Sequence, residues 1–340
     1  VSTVVAIDAM GGDRAPGEIV AGALAAVDAC DVDILLVGRP DAIAPHLPAG
    51  APPARVEIVR ASEVVAMDED PANAIRTRKD SSLVRAAEAV RDGRAQAMVG
   101  AGNTGATMAA ALLRCGRIKG VHRPAIAIPL PVIGSDAHQL LVDAGATVDP
   151  EPEWLVEWAV LAREYARTRL GVAEPTIALL SNGEEAGKGD ALRKRASELL
   201  ASVKGFVGNV EGRDLVRASA DVIVTDGFTG NVALKTIEGA MFGLAGLVFG
   251  VVDEPDTPWA GAADALKLRL LEASAPLIPD NTGGGMLLGI EGVCVISHGS
   301  SSAQAIVNAV RVARDCAASG VVDRLRDAIA HYEIGAAGAG

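Results

Sequence analysis

ADVIVTDGFTGNVALKTIEG, Ala220 to Gly239, joins a short apolar run to a helix-like periodicity through a polar turn punctuated by glycine. Val222, Ile223 and Val224 suit a strand buried on both faces, Asp226-Gly227 breaks it, and helical spacing resumes near Asn231. A helix starting there leaves unpaired N–H groups and a positive dipole end beside Thr229, Gly230 and Asn231, which suits an anion or a developing oxyanion. Most strand-to-helix turns only reverse the chain. Here, however, comparable polar turns recur in IDAMGGDRAP (Ile7 to Pro16), VGAGNTGAT (Val99 to Thr107) and VISHGSSSAQ (Val295 to Gln304). The pattern predicts an α/β protein with a mostly parallel sheet, and ligands of such sheets bind outside the carboxyl ends of the strands. The four turns are therefore expected to converge at one sheet edge. Convergence would gather Asp8, Gly11, Gly12, Asp13, Gly102, Asn103, Thr104, Gly105, Asp226, Thr229, Gly230, His298, Gly299 and Ser300 around a phosphate.

The 340 residues are half hydrophobic and support a sizeable core, organised as one catalytic domain over residues 1–334 with a disordered tail at 335–340. A net charge of -12 and an aromatic content of 3% argue against nucleic acid, which favours basic faces and stacking platforms. Cys30, Cys115, Cys294 and Cys316 are far apart without a C-x-x-C pair, as expected of reduced core thiols in a cytosolic protein. The chain opens directly into a strand without the pattern of a signal peptide. Its apolar run Gly239 to Val252 is too short by itself to span a bilayer and reads as a core or interface helix.

Helices are expected after Pro16, after a cap at Asp80, from about Thr104 to Arg114, over Trp154 to Arg169, from Leu192 to Val203 and from Ser301 to about Ala318, with a last one through Arg326. Strands are expected at Val4–Asp8, Asp33–Gly38, Val56–Val59, Ala95–Val99, Thr176–Leu180 and Val293–Ile296. Ala125–Val132 and Gln139–Val142 suggest an antiparallel excursion. Residues 253–279 hold a helical run, Ala265 to Ser274, that faces a membrane or a dimer partner.

Gly100 to Gly105 satisfies G-x-G-x-x-G, yet Val121-His122-Arg123-Pro124 stands where a dinucleotide fold needs an acid, which keeps the phosphate and removes the nucleotide. In SNGEEAGKGDALRKR (Ser181 to Arg195), Lys188 stands between glycines as a candidate phosphate ligand and Asp190 can cap the next helix. Glu184 and Glu185 suggest either paired catalytic carboxylates or solvated charge. Arg193-Lys194-Arg195 reads as a solvated helix face. Ser300 and Ser301 sit where helix caps sit, and neither a G-x-S-x-G elbow nor clustered metal-ligand spacing occurs, so no metal or cofactor is expected.

IDAMGGD at Ile7, RKDSSL at Arg78, GAGNTGA at Gly100, GRIKGVHRPA at Gly116, GEEAGKG at Gly183, GNVEGRD at Gly208, DGFTGNVALKTIEG at Asp226 and LLGIEGVCVISHGSSSAQAI at Leu287 occur in order along nearly the whole chain. Together they resemble the bacterial phosphate acyltransferase of phospholipid synthesis. That resemblance implies a three-layer α/β/α fold like phosphotransacetylase and isopropylmalate dehydrogenase. It also implies transfer of a fatty acyl group from acyl carrier protein to inorganic phosphate, giving acyl phosphate for a membrane-bound glycerol-3-phosphate acyltransferase. Lys188 and Asn231 fall on the implied catalytic positions, in a cytoplasmic homodimer in peripheral contact with the membrane. SNG at Ser181 and DNTGGGM at Asp280 depart from the family pattern, the latter lacking a tyrosine before its glycines. Two basic clusters are candidates for docking an acidic carrier: Arg76, Arg78 and Lys79, and Arg114, Arg117, Lys119 and Arg123. A hydroxyacid dehydrogenase and a non-catalytic anion-binding protein are the alternatives.

Overall fold

The computed structural model describes residues 2–254, 258–275 and 278–337, apart from the side chains of 260, 273, 279 and 333–337. β1 (Thr3–Asp8) leads through α1 (Gly17–Cys30) to β2 (Val32–Gly38), α2 (Pro40–Ile43), β3 (Val56–Arg60), α3 (Pro71–Thr77) and α4 (Ser82–Arg91). β4 (Ala97–Gly100) and α5 (Thr104–Cys115) precede β5 (Ala125–Pro131) and β6 (His138–Val142). Next come α6 (Pro152–Arg169), β7 (Ile177–Leu180), α7 (Ala191–Leu200) and β8 (Phe206–Val210). β9 (Val222–Val224) feeds α8 (Gly227–Val252), followed by α9 (Ala263–Ser274) and α10 (Pro279–Thr282). β10 (Gly285–Leu288), β11 (Val293–Ile296), α11 (Ala303–Ala318) and α12 (Val321–Ala337) complete the order.

The strands form one 11-stranded sheet ordered β3-β2-β1-β4-β11-β10-β5-β6-β9-β7-β8. Pairing is parallel except where β10 meets β11 and β5 and where β5 meets β6. Two parallel halves thus run in opposite directions, with the reversal at the centre. The turns after β1, β4 and β11 share one edge, whereas those after β7 and β9 lie at the other. The expected convergence of all four turns at a single edge is not what the chain does, because local patterning gives a strand's existence but not its direction within the sheet.

Val5, Ile7, Ile34 and Leu36 point to one face, covered by α1, α11, α12, α6 and α7 around fully buried Trp158 and Tyr165. Ala6, Met98, Ile126 and Leu287 point to the other, covered by α4 and α5, while α8 covers the second half of that face through Ala233, Leu234 and Ile237. The result is the expected three-layer α/β/α arrangement. Between α5 and α8 the floor of β5, β10 and β11 is left open.

Several local expectations shift. Ser81, not Asp80, caps α4; Asp80 instead accepts from Ser62 and Arg85. α8 starts at Gly227, earlier than Asn231, because Asp226 caps it. Ser302 caps α11, one residue beyond the serines assigned that role. β8 has no strand counterpart in the sequence reading, since glycine and asparagine interrupt its pattern. α12 runs through Ala337, past the expected start of the tail, and 338–340 lie outside the described residues, as do 255–257 and 276–277 of the 253–279 segment. Gly239–Val252 is the end of a 26-residue helix that is long and apolar enough to cross a membrane, though its first turns are built into the sheet face. The four cysteines are free, and burial raises each thiol, Cys115 and Cys316 to about 11.

Candidate functional site

Three turns interlock at the β1–β4–β11 edge. Glycine is required where they touch: a Cβ on Gly11 would lie 3.0 Å from the Gly102 nitrogen, and one on Gly102 2.9 Å from the Gly11 Cα. Asp13 N donates to Gly299 O at 2.8 Å, and Arg14 donates to Ser300 O, stitching the first turn to the third. Asp8 is buried behind this junction, accepts from Met10 N at 3.0 Å, and is raised by burial against hydrogen bonds from Ser82, Met10 and Gly11. Asn103 caps α5 by accepting from Ala106 N, while its amide donates to Met67 O and Glu69 O. Both ends of that side chain are thereby used for structure. Ser300 N donates to His298 Nδ1 at 3.2 Å, so this ring nitrogen is the acceptor and Nε2 is the ring's donor.

Across the gap, α8 rests on the loop after β6. Asp143 is fully buried and accepts backbone hydrogen bonds from Ile126, Gly145, Ala146 and Thr147 at 2.7–3.1 Å. Burial pushes its carboxyl up to about 6, against the pull of those N–H groups. Gly230 has no room for a side chain, since a Cβ there would lie 1.9 Å from Asp143 O. The glycine thus admits the chain's own backbone, not a ligand's. Gly227 N donates to Thr147 O, Thr229 N to Asp226 Oδ1 and Gly230 N to Asp226 O, so these helix N–H groups are satisfied within the fold and do not form the anticipated anion site. Asn231 emerges beyond this contact, its amide donating to Ala144 O at 3.4 Å.

Arg193 contradicts its reading as solvated surface. Its side chain is 13% exposed and reaches Asp226, Thr229 Oγ1 at 2.9 Å, Leu180 O and Asp190, tying the end of β7 to the start of α8. Burial raises the Asp226 carboxyl, but the bonds from Thr229 and the Arg193 charge outweigh it and leave Asp226 below its ordinary value. Asp190 caps α7 as expected. Lys188 is exposed in the loop before it, its stem against Gly183.

A cavity of about 450 Å³ opens between α5 and α8. Of the residues anticipated for binding or catalysis, Asp13, Gly102, Thr104, Gly105, Asn231, His298 and Gly299 line it. Asp8, Gly11, Gly12, Asn103, Lys188, Asp226, Thr229, Gly230 and Ser300 do not; most of them shape the turns that do. The sequence reading missed Ile126, Ile128, Leu234 and Ile296, which give the cavity an apolar floor, and Lys235 on the α8 wall. It also missed the Asp280–Gly285 segment as a wall, although DNTGGGM had stood out as unusual. Helical spacing from Asn231 would have pointed to Leu234 and Lys235. No group of three or more His, Cys, Asp or Glu side chains arranged for a metal occurs among the described residues.

Residues 3–324 match the family described as "Fatty acid synthesis protein". A phosphate acyltransferase of Desulfitobacterium hafniense (strain Y51) is 46% identical over 334 residues, covering 96% of this chain and 98% of that protein. One from Heliobacterium modesticaldum is 48% identical over 313 residues, covering 91% and 92%. This chain belongs to the phosphate acyltransferase family. A phosphotransacetylase from Streptococcus pyogenes has the same fold, with a TM-score of 0.62, 16% identity and 94% of each chain covered. A branched-chain phosphotransacylase from Enterococcus faecalis V583 superposes with a TM-score of 0.58 at 16% identity, over 93% of this chain and 99% of that one. The acyltransferase thus has the phosphotransacetylase-like α/β architecture expected of it.

Asp143 provides a direct test of the α8 seat. Its folded carboxyl binds a proton more tightly than the ordinary value of 3.8 allows, so its stabilising contribution is complete below that pH and fades as pH rises through about 6. Asp143→Asn is expected to destabilise the fold by about 2 kcal/mol or more at pH 7, through N–H groups left facing an amide. The deficit relative to the parent should grow on acidification toward pH 5 in urea unfolding, and a pH-independent deficit would show that Asp143 does not titrate in this range.

Proposed function

We propose that the enzyme moves a fatty acyl group from the thioester of acyl carrier protein to inorganic phosphate, forming acyl phosphate for phospholipid synthesis. The observation that carries this reading is one cavity with two unlike kinds of lining. The amide-rich start of α5 and His298 Nε2 offer donors to an anion, while Ile126, Ile128 and Leu234 offer an apolar bed to an acyl chain. Asn231 lines the same cavity from α8, where an amide donor can meet a thioester oxygen.

In the proposed step a phosphate oxygen attacks the thioester carbonyl carbon, and the C–S bond breaks as the new C–O bond persists. The hydrogen phosphate proton ends on the departing thiolate, so acyl thioester plus hydrogen phosphate yields acyl phosphate plus thiol. Asn231 would stabilise the oxyanion between these stages. The four cysteines fit no covalent relay, since their raised thiols are neutral near pH 7 and none lines the cavity. Lys188 keeps the catalytic role implied by the family resemblance, from a loop that Arg193 anchors to the start of α8.

The partners belong to the same proposal. On α8, Gly239, Gly243, Gly246 and Gly250 follow heptad-like spacing with open space at each, beside exposed Phe242, Leu244 and Leu247. A second copy of this chain fits such a face, because glycine lets helix backbones approach closely. On α9, Leu268 and Leu271 are exposed whereas Leu270 is half-buried, so the first two are the better candidates for peripheral contact with a membrane from the cytoplasm. Handover of product to a membrane-bound glycerol-3-phosphate acyltransferase would follow there. For carrier docking, Arg76 on α3 and Lys79 just beyond its end are favoured, because Pro71 at the start of α3 packs on Gly105 at the cavity. The Arg114–Arg123 cluster lies at the far end of α5, about 18 Å away, where Arg117 donates to His122 O and Arg123 lies over Trp154.

Asn231→Ala and Lys188→Ala are each expected to lower turnover about a hundredfold or more, with phosphate-dependent thiol release as the assay and Cys294→Ala as an active control. Near-parental turnover would remove the residue from the mechanism; phosphate-independent release would indicate a thioesterase, and nicotinamide turnover a dehydrogenase. Joint reversal of Arg76 and Lys79 to glutamate should raise the Michaelis constant for the carrier substrate about tenfold and flatten its salt dependence. An equal effect from reversing Arg117 and Lys119 instead would move docking to the second cluster. Leu268→Glu with Leu271→Glu should abolish flotation with liposomes while sparing activity on soluble carrier, and persistent flotation would exclude α9 as the contact.

A further inference from the structure

We infer that Lys235 is a further substrate-binding residue and supplies the positive charge that holds inorganic phosphate in the cavity, an inference that rests on the acyl-transfer reading above. Lys235 follows Asn231 by four residues on α8, which places both on one helix face, and both line the cavity. Among the described residues that line the cavity it is the one lysine, and no arginine accompanies it. The same walls carry three carboxylates, Asp13, Glu238 and Asp280.

Phosphate entering beside those carboxylates meets like charge in a partly enclosed space. The α5 amides and the His298 ring N–H offer hydrogen bonds there. Lys235 is the group positioned to offset that repulsion, and no ion pair or side-chain hydrogen bond occupies its ammonium among the described residues. Most cationic side chains of this chain are committed elsewhere: Arg193 to Asp226, Arg78 to Glu69, Arg213 to Glu184 and Glu211. Lys188 does not line the cavity, so it does not replace Lys235 at this position. An ammonium one helical turn from the Asn231 amide would bring a phosphate oxygen to the thioester that Asn231 polarises. It acts as a compact point charge on a long stem, suited to a small, freely exchanging anion.

The experiment measures the Michaelis constants for phosphate and for acyl carrier protein thioester separately, in the intact chain and in Lys235→Met and Lys235→Arg. In Lys235→Met the constant for phosphate should rise about ten- to hundredfold, that for the acyl donor should stay within about twofold, and Lys235→Arg should recover most of the loss. An unchanged constant for phosphate overturns the assignment. So does a rise confined to the acyl donor, which would make Lys235 a carrier contact. Acetylation of Lys235 in the unmodified chain, followed by mass spectrometry, gives a readout that does not require either variant to fold. Inorganic phosphate should slow it while leaving exposed Lys204 unaffected, and equal rates with and without phosphate overturn the inference. Absence of phosphate-dependent thiol release in the intact chain would instead overturn the acyl-transfer reading itself.

Discussion

The site depends on the reversal of strand direction at the centre of the sheet. If β4, β11, β6 and β9 all ran the same way, their turns would meet at one edge, with the site beyond it. Because β10 and the β5–β6 hairpin turn the second half around, the polar turns are split between opposite edges. A common site can then form only on a face, where α5 from one half and α8 from the other leave the floor of β5, β10 and β11 uncovered. The cavity is where these two helices fail to meet.

That gap keeps its shape because both walls rest on backbone contacts that exclude side chains. Gly11 against Gly102 locks the turns on the α5 side, and Gly230 against Asp143 O seats α8. Asp143 ties four backbone donors of the β5 start and the β6 loop to one buried carboxylate, a rigid support of the kind that positions reactive groups well. Arg193 performs a corresponding task at the same edge by holding the cap of α8 to the end of β7. Neither Asp143 nor Arg193 lines the cavity, yet the placement of Asn231 depends on what they hold.

Several glycine and polar motifs therefore mark structure adjoining the site. Asn103 looks like a ligand residue in GAGNTGA, but its amide is used on the 66–69 loop and its oxygen on α5. Asp226 and Thr229 look like an anion cradle in DGFTGN, but they satisfy each other and Arg193. In both motifs the residues that reach the cavity are neighbours of the conspicuous ones: Thr104 and Gly105 in the first, Asn231, Leu234 and Lys235 in the second.

Sequence alone determined the α/β class, most of the element order, the apolar strands, the cap at Asp190 and the family, because these follow from local periodicity, turn chemistry and ordered motifs. It also brought seven cavity residues into view, since polar turns at strand ends are legible one turn at a time. Tertiary structure alone decided which edge each turn occupies, which glycines admit the chain's own backbone, that Arg193 is buried and that Lys235 faces the cavity. The physical reason is that strand direction and sheet order arise from pairing between segments far apart in the chain, such as β6 with β9 and β11 with β4. A local pattern specifies which side of a strand or helix is apolar, but the partner that side meets is set by the packed sheet.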